Sequence, residues 1–136
     1  MARSVLVDTS FLVALMHRRE SDHPWAAAHA RRLPPPWKTC DAVVSETFYL
    51  LNPAGASGFA KLLRARLVVS VFHLSDGIEQ VLGLMHKYAD LPMSLADACL
   101  VRMTEIMPDP ILLTKDADFR IYRRNSRQTI PYLMPR

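Results

Sequence analysis

The stretch Val5-Leu6-Val7-Asp8-Thr9-Ser10 decides how this chain is organised. A short run of branched apolar residues ends abruptly in a carboxylate, and residues 11–16 then resume an apolar pattern that favours a helix. A strand without polar alternation that leads straight into a helix is typical of a parallel sheet covered on both faces. Ligands of such sheets bind outside the carboxyl ends of the strands, which makes Asp8 a candidate functional residue. The alternative is that Asp8 only caps the helix that follows it.

The composition describes one folded domain. The chain has 136 residues, of which 50% are hydrophobic, so it can bury a substantial core, and we expect a single domain over residues 1–136. The longest apolar run, 11–16, is too short to span a membrane, and Asp8 precedes any signal-peptide core, so a cytoplasmic protein is expected. Cys40 and Cys99 stand alone, which fits two free thiols, and the histidines form no zinc motif.

Further strand signals recur along the chain. Apolar runs predict buried strands at 67–72 and 111–114, and a short extended segment is predicted at 37–40. A last strand at 129–133 must lie at an edge, because Pro131 cannot donate to a sheet ladder.

Helix signals separate these strands. The predicted helices cover 25–32, 42–51, 59–66 (after a turn containing Gly55 and Gly58), 76–89 (behind an Asp76–Glu79 capping box) and a segment from Ser94 that stops by Pro108. A short helix or turn is predicted at 116–119. Alternating strands and helices predict an α/β fold, a three-layer α/β/α sandwich with a mainly parallel central sheet.

Several carboxylates occupy positions where apolar sequence surrounds them or a strand ends. Asp8 and Asp116 follow two predicted strands and would emerge at the same edge of a parallel sheet. Glu46 shares one helix face with Val43 and Leu50, and Asp97 lies in the first turn of an apolar helix. Asp118, beside Asp116, is a further candidate.

Each of these acids also has a purely structural interpretation. Asp97 fits a capping box with Ser94, and Asp8, Asp116 and Asp118 could be ordinary helix caps worth about 1 kcal/mol each. Glu46 could point outward through a gap in the apolar face. Capping does not explain why these acids occur together, since a cap needs neither a buried strand end nor an apolar helix.

Converging carboxylates repel one another, and either shared protons or a divalent cation must relieve the repulsion. Oxygen ligands without nearby His or Cys favour Mg²⁺ or Mn²⁺ over zinc. If Asp8, Glu46, Asp97 and Asp116 converge, nine of the 13 acidic residues remain against 17 basic ones. A positive surface would then surround the acidic cluster. A carboxylate-held metal beside such a surface suits hydrolysis of a phosphodiester.

The basic residues concentrate near the C-terminus. From Thr114 onward the chain has six Lys and Arg against two Asp, so this segment alone nets +4. Within it basic and aromatic side chains alternate, which favours RNA contacts through the arginines Arg120, Arg123, Arg124 and Arg127, with a base stacked on Tyr122. The alternative is a packed element in which Phe119 and Ile121 enter the core and the arginines are solvated.

Four motifs in this order resemble the PIN domain, and in particular the VapC-type toxins of bacterial toxin–antitoxin pairs. They are Val5-Leu6-Val7-Asp8-Thr9-Ser10, Ser45-Glu46-Thr47-Phe48-Tyr49-Leu50-Leu51, Leu91-Pro92-Met93-Ser94-Leu95-Ala96-Asp97-Ala98 and Leu113-Thr114-Lys115-Asp116-Ala117-Asp118-Phe119. The resemblance implies a Mg²⁺- or Mn²⁺-dependent endoribonuclease that forms a homodimer and is held inactive by a cognate VapB-type antitoxin.

The same resemblance implies roles for individual residues. Asp8 and Asp97 would be the principal metal ligands, and Glu46 and Asp116 would complete the catalytic acidic cluster. The hydroxyls of Thr9 and Thr114 would support neighbouring carboxylates or phosphate.

Other functional classes fit less well. A phosphate-accepting receiver domain needs a pair of acids near the first strand, where Asp8 is alone, and an Asp at the end of the middle strand, where the chain has Phe72 and His73. A haloacid-dehalogenase-like phosphatase needs Asp-x-Asp, but position 10 is Ser. A PIN domain that binds RNA or protein without cleaving it is the remaining alternative.

Overall fold

A parallel sheet forms the centre of the protein, whose computed structural model describes residues 2–136. The strands are β1 (Ser4–Val7), β2 (Trp37–Cys40), β3 (Val68–Phe72), β4 (Pro110–Leu113), β5 (Arg123–Arg124), β6 (Gln128–Thr129) and β7 (Tyr132–Leu133). Five of them pair in parallel in the order β3-β2-β1-β4-β7, while β5 and β6 form a separate antiparallel pair.

Helices connect and cover these strands. They are α1 (Thr9–Met16), α2 (His23–Arg32), α3 (Asp41–Leu50), α4 (Pro53–Arg64), α5 (Ile78–Lys87) and α6 (Leu95–Ile106), with 3₁₀ turns at Leu74–Asp76 and Ala117–Arg120. Helix α1 packs against α2, α3 and α4, and α5 packs against α6. The predicted α/β fold with a mainly parallel central sheet is confirmed.

The central strand β1 and its neighbour β4 are buried along their whole length. Leu6, Val7, Leu112 and Leu113 are inaccessible to solvent, although neighbouring side chains of a strand point to opposite faces of the sheet. Burial on both faces therefore requires cover on both faces, and this explains why the sequence of these strands does not alternate.

Parallel pairing brings separate chain segments to one edge of the sheet. Val7 lies beside Leu113 in the register of β1 and β4, so Asp8 and Thr114 leave the sheet side by side. The backbone N–H of Asp8 donates to the carbonyl of Leu113 at 3.1 Å, which extends the pairing by one residue. Helix α3 begins directly after β2, at the same carboxyl edge.

Helix α4 corrects one prediction. A turn was expected around Gly55 and Gly58, but both residues lie inside a helix that starts at Pro53. Asn52 caps this helix by accepting a hydrogen bond from the N–H of Gly55 at 2.8 Å, and proline is well suited to the first helical position. The cap and the proline outweigh the low helix propensity of the two glycines.

Helix α5 and the last strand also differ from expectation. Asp76 belongs to a 3₁₀ turn, and α5 starts only at Ile78 with Gly77 at its N-cap, so the Asp76–Glu79 capping box is not formed. The predicted strand at 129–133 is divided at Pro131, because β6 pairs with the antiparallel β5 and β7 pairs with β4.

Helix α6 has the predicted start. The Ser94 hydroxyl accepts from the N–H of Asp97 at 3.0 Å and the Asp97 carboxylate accepts from the N–H of Ser94 at 3.2 Å, which is a complete capping box. The free thiols of Cys40 and Cys99 are also confirmed, and both are buried. Across residues 2–136, none of the helices has both the length and the hydropathy needed to cross a bilayer.

The helical setting of Gly58 is testable. A Cβ at this position would meet only the sulfur of Met16, at 3.6 Å, so Gly58→Ala should raise the free energy of unfolding by about 0.5–1 kcal/mol through helix propensity. Urea denaturation measures the change.

Gly55→Ala is the matched control, because its Cβ would lie 3.1 Å from Leu51 Cδ2 and 3.2 Å from Asn52 Oδ1. That variant should gain less than Gly58→Ala or lose stability. Equal destabilisation by both substitutions would contradict the helical setting of Gly58.

Candidate functional site

A cavity of about 440 Å³ opens at the carboxyl edge of the sheet. Four carboxylates predicted from sequence line it together: Asp8, Glu46, Asp97 and Asp116. They come from the end of β1, the middle of α3, the first turn of α6 and the segment after β4. The four chain segments are far apart in sequence and meet only through the fold.

Asp8 is the most buried of these acids, with 5% of its surface exposed. Its Oδ1 accepts a hydrogen bond from the N–H of Thr9 at 2.7 Å, so it does act as a cap of α1. Its Oδ2 accepts from the hydroxyl of Thr114 at 2.7 Å and lies 3.3 Å from the hydroxyl of Ser10. These contacts hold the carboxylate from the first turn of α1 and from the residue that follows β4.

The hydroxyls beside Asp8 form a wider network. The backbone N–H of Lys115 donates to Ser10 Oγ at 2.8 Å, and the N–H of Asp116 donates to Thr114 Oγ1 at 3.0 Å. Ser10 and Thr114 are themselves 3.3 Å apart. The segment that carries Asp116 is thus attached to the first turn of α1.

Asp97 is both a capping residue and a wall of the cavity. Its Oδ2 accepts the capping bond from Ser94 and lies 3.5 Å from the hydroxyl of Tyr122. Tyr122 has no exposed surface, so a base cannot stack on it as the sequence had suggested. Burial raises the pKa of the Tyr122 hydroxyl, and the negative charge of Asp97 adds to that rise. This phenol is therefore a hydrogen-bond donor to the carboxylate.

Glu46 and Asp116 complete the acidic lining of the cavity. Glu46 is an exposed residue whose Oε2 accepts from the hydroxyl of Thr9 at 3.2 Å. Asp116 is partly buried, and its Oδ1 accepts from the N–H of Asp118 at 2.9 Å, which caps a 3₁₀ turn. Asp8 is thus buried, Asp97 and Asp116 are partly buried, and Glu46 is the exposed member of the four.

The electrostatics of the cavity reflect burial and crowding. Burial raises the pKa of Asp8 to about 7, with further increases from the charges of Asp97 and Asp116 and an opposing decrease from the Thr114 hydrogen bond. Burial also raises the pKa of Asp97 to about 6, helped by the charges of Asp116 and Glu46 and opposed by the bonds to Ser94. Ionising all of these carboxylates together therefore costs free energy unless a cation lies between them.

The remaining predicted residues lie away from the cavity lining. Asp118 is partly buried within the 3₁₀ turn and does not line the cavity. Arg123 donates to the carbonyls of Arg120, Ile121 and Tyr122, and Arg124 donates to the carbonyl of Thr104 on α6. Arg120 and Arg127 are exposed.

The two apolar residues of this basic segment separate. Phe119 is fully buried, as expected, whereas Ile121 is 49% exposed and does not enter the core. Ile121 is the residue that ends the 3₁₀ turn, so the packed element considered for this segment is correct for Phe119 and wrong for Ile121.

Sequence reasoning missed an ion pair at the edge of the cavity. Lys115 Nζ lies 2.5 Å from Glu20 Oε1 and 2.9 Å from Asp22 Oδ2. Burial lowers the pKa of Lys115, but the hydrogen bonds and charges of Glu20 and Asp22 outweigh it, so the pKa is raised. No motif marks Glu20, because its partner is 95 residues away. Ser10, by contrast, was detectable from its position two residues after Asp8.

The donor set fits a hard cation, because the cavity presents carboxylate and hydroxyl oxygens and no sulfur or imidazole. Within residues 2–136, no group of three His, Cys, Asp or Glu side chains is arranged to hold an ion by itself. Binding through one or two carboxylates with several waters is the coordination that Mg²⁺ usually adopts in proteins. Asp8 and Asp97 are the two acids whose charge most needs compensation.

Comparison with known families assigns the fold. The family model for the PIN domain matches residues 5–125, which contain all four acids of the cavity. The chain belongs to the PIN domain family. This confirms the resemblance carried by the four sequence motifs.

A solved structure supports the same assignment for this PIN domain. The crystal structure of VapC20 from Mycobacterium tuberculosis, described as a toxin that cleaves the sarcin–ricin loop, is similar with a TM-score of 0.71 and 25% sequence identity. The similarity covers 85% of this chain and 92% of VapC20. No curated protein sequence gives a significant match.

The raised pKa of Asp8 makes the stability of the metal-free PIN domain depend on pH. The folded state holds a proton on Asp8 up to about pH 7, whereas the unfolded chain releases it near the ordinary aspartate pKa of 3.8. The free energy of unfolding should therefore fall as pH rises between these two values. Urea denaturation in EDTA at a series of pH values measures this.

Asp8→Asn should weaken that slope and raise the free energy of unfolding at pH 7 by roughly 1–3 kcal/mol. The range follows from about 1.4 kcal/mol per pKa unit, less the hydrogen bonding that the amide cannot reproduce. Asp90→Asn, which changes an exposed carboxylate, is the control and should leave the slope as it is. A wild-type protein that becomes more stable across this pH range would contradict the burial of Asp8.

Proposed function

We propose that this PIN domain is a divalent-metal-dependent endoribonuclease and the toxin of a VapBC-type toxin–antitoxin pair. The observation that carries the proposal is the convergence of Asp8, Glu46, Asp97 and Asp116 on one open cavity. Family membership and the similarity to a toxin that cleaves RNA favour this chemistry over the other uses of an acidic cavity.

Asp8 and Asp97 are the proposed ligands of Mg²⁺ or Mn²⁺. When bound, such an ion neutralises charge on the phosphate and makes water a better nucleophile. Thr114 and Ser10 hold Asp8 in position, and the capping box together with Tyr122 holds Asp97. Glu46 and Asp116, which line the same cavity, would orient water or accept its proton.

In this proposal the arginines of residues 120–127 make the surface positive and so attract RNA. Arg123 and Arg124 are occupied by backbone carbonyls, so their charge acts at a distance, whereas Arg120 and Arg127 are free to meet RNA phosphates as well. A net charge of +4 favours encounter with a polyanion. Thr9 completes the polar wall of the cavity through its bond to Glu46.

The proposed partners follow from the similarity to VapC20 and not from any contact seen in this chain. We infer a cognate VapB-type antitoxin that covers the active site, a homodimer, and action in the cytoplasm. The alternative is a PIN domain that binds RNA or protein without cleaving it. The lack of three carboxylates arranged around one point in residues 2–136 is the observation that favours this alternative.

An RNA cleavage assay separates the two functions. Purified protein is incubated with total RNA in Mg²⁺, in Mn²⁺ and in EDTA, and the products are resolved on a gel. Cleavage should need the metal, and Asp8→Asn or Asp97→Asn should each reduce the rate at least about 100-fold, because each removes a proposed ligand of the cation that neutralises charge on the phosphate.

Asp90→Asn is again the matched control, since it makes the same chemical change on the surface, and it should cleave at the wild-type rate. Cleavage that survives EDTA or both active-site substitutions would exclude the metal mechanism. A protein that binds RNA but cleaves none of it would establish the binding-only alternative.

A further inference from the structure

The acidic cavity continues into a groove that leads away from the sheet. Val13 and Leu50 line both the acidic cavity and a neighbouring one of about 200 Å³. His17 and Asn52 in turn line both this middle cavity and a third one of about 410 Å³. The shared walls make one groove between the end of α1 and the junction of α3 with α4.

The far end of this groove is basic. Arg18 and Arg19 line the third cavity, are both exposed, and form no ion pair within residues 2–136. They lie at the end of α1, the helix that begins beside Asp8. A single short helix therefore joins the acidic cavity to two unpaired cations.

The loop that carries these arginines is held in place. Lys115 binds Glu20 and Asp22, which attaches residues 20–22 to the segment after β4. The N–H of Glu20 donates to the carbonyl of His17 at 3.0 Å, so the two arginines lie inside a closed backbone turn. Their positions relative to the cavity are defined by contacts rather than left to a free loop.

The charge distribution explains why cations are needed at this place. Five acids line the first cavity (Asp8, Glu20, Glu46, Asp97 and Asp116), while its only cationic lining residue in the described chain is Lys115, which is already paired. Apart from the proposed metal ion, a polyanion at the acids must therefore gain its electrostatic binding energy from cations outside the cavity. In contrast, none of the arginines at 120–127 lines this cavity or the groove.

We propose that a single-stranded RNA occupies this groove, and that Arg18 and Arg19 bind phosphates further along the strand from the one being cleaved. The inference deepens the proposed ribonuclease function and rests on it, because that function places the cleaved phosphate at the acidic cavity. Phosphate contacts from arginine fix the register of a nucleic acid without reading its sequence, so this groove positions RNA and does not select bases.

The test measures RNA affinity against salt for Arg18→Ala/Arg19→Ala. The probe is a fluorescein-labelled single-stranded RNA of about 12 nucleotides, titrated in EDTA and checked for intact length afterwards. Loss of two phosphate contacts should reduce the slope of log affinity against log salt by about 1.4, because each contact to single-stranded RNA contributes about 0.7. Arg18→Lys/Arg19→Lys keeps the charge and should keep most of the slope.

Arg31→Ala/Arg32→Ala is the matched control. It removes the same charge from an adjacent exposed pair at the end of α2, which lines none of the three cavities. This variant should retain the wild-type slope within about 0.5. If both double variants lose the same amount of salt slope, the loss reflects net charge and not contacts in the groove. If Arg18→Ala/Arg19→Ala keeps the wild-type slope, RNA does not bind the groove, and a peptide is the remaining candidate. Either result overturns the proposal.

The same variants incubated with RNA and Mg²⁺ separate this inference from the proposed function. Cleavage by the wild type with an unaltered salt slope in Arg18→Ala/Arg19→Ala would reject the groove and keep the nuclease. A reduced slope without cleavage by any variant would keep the groove and reject the nuclease.

Discussion

Burial of the Asp8 carboxylate at the end of β1 is the constraint on which the site depends. The position is imposed by the parallel pairing of β1 with β4, which places the residues after both strands at one edge. A carboxylate in that position loses most of its hydration, which is costly unless hydrogen bonds replace it. The N–H of Thr9 and the hydroxyl of Thr114 supply that replacement, and they come from the residues that follow directly on Asp8 and on β4.

The hydroxyl groups around Asp8 also connect it to the segment that carries Asp116. Thr114 binds Asp8 and accepts from the N–H of Asp116, while Ser10 accepts from the N–H of Lys115. Lys115 then holds the loop that follows α1 through Glu20 and Asp22. A chain of short polar contacts therefore links the central strand, the acids and the outer wall of the cavity.

The hydrogen bonds do not fully offset the burial and mutual repulsion of the carboxylates, and this uncompensated charge favours binding of a cation. Burial and mutual repulsion raise the pKa values of Asp8 and Asp97 into a range where both are partly protonated near neutrality. A divalent cation would compensate the same charges and would compete with those protons. Metal binding and proton release should thus be linked, and the loss of one carboxylate changes both.

The sequence by itself determined the class of fold and the identities of the acids. Strands without alternation, such as Val5-Leu6-Val7, require cover on both faces, and a parallel sheet brings its carboxyl ends together, so Asp8 and Asp116 were expected at one edge. Local signals also located Asp97, because a capping box depends on residues only three apart.

Only the tertiary structure decided which groups surround those acids. The contacts of Lys115 with Glu20, Tyr122 with Asp97 and Arg124 with Thr104 join residues distant in sequence, and no local pattern encodes them. Helix α4 extends through Gly55 and Gly58 because a cap and a proline outweigh intrinsic propensity. The composition of the sequence indicated a basic segment only near the C-terminus. The packing of α1 against its neighbours is what puts Arg18 and Arg19 in the groove that continues from the acidic cavity.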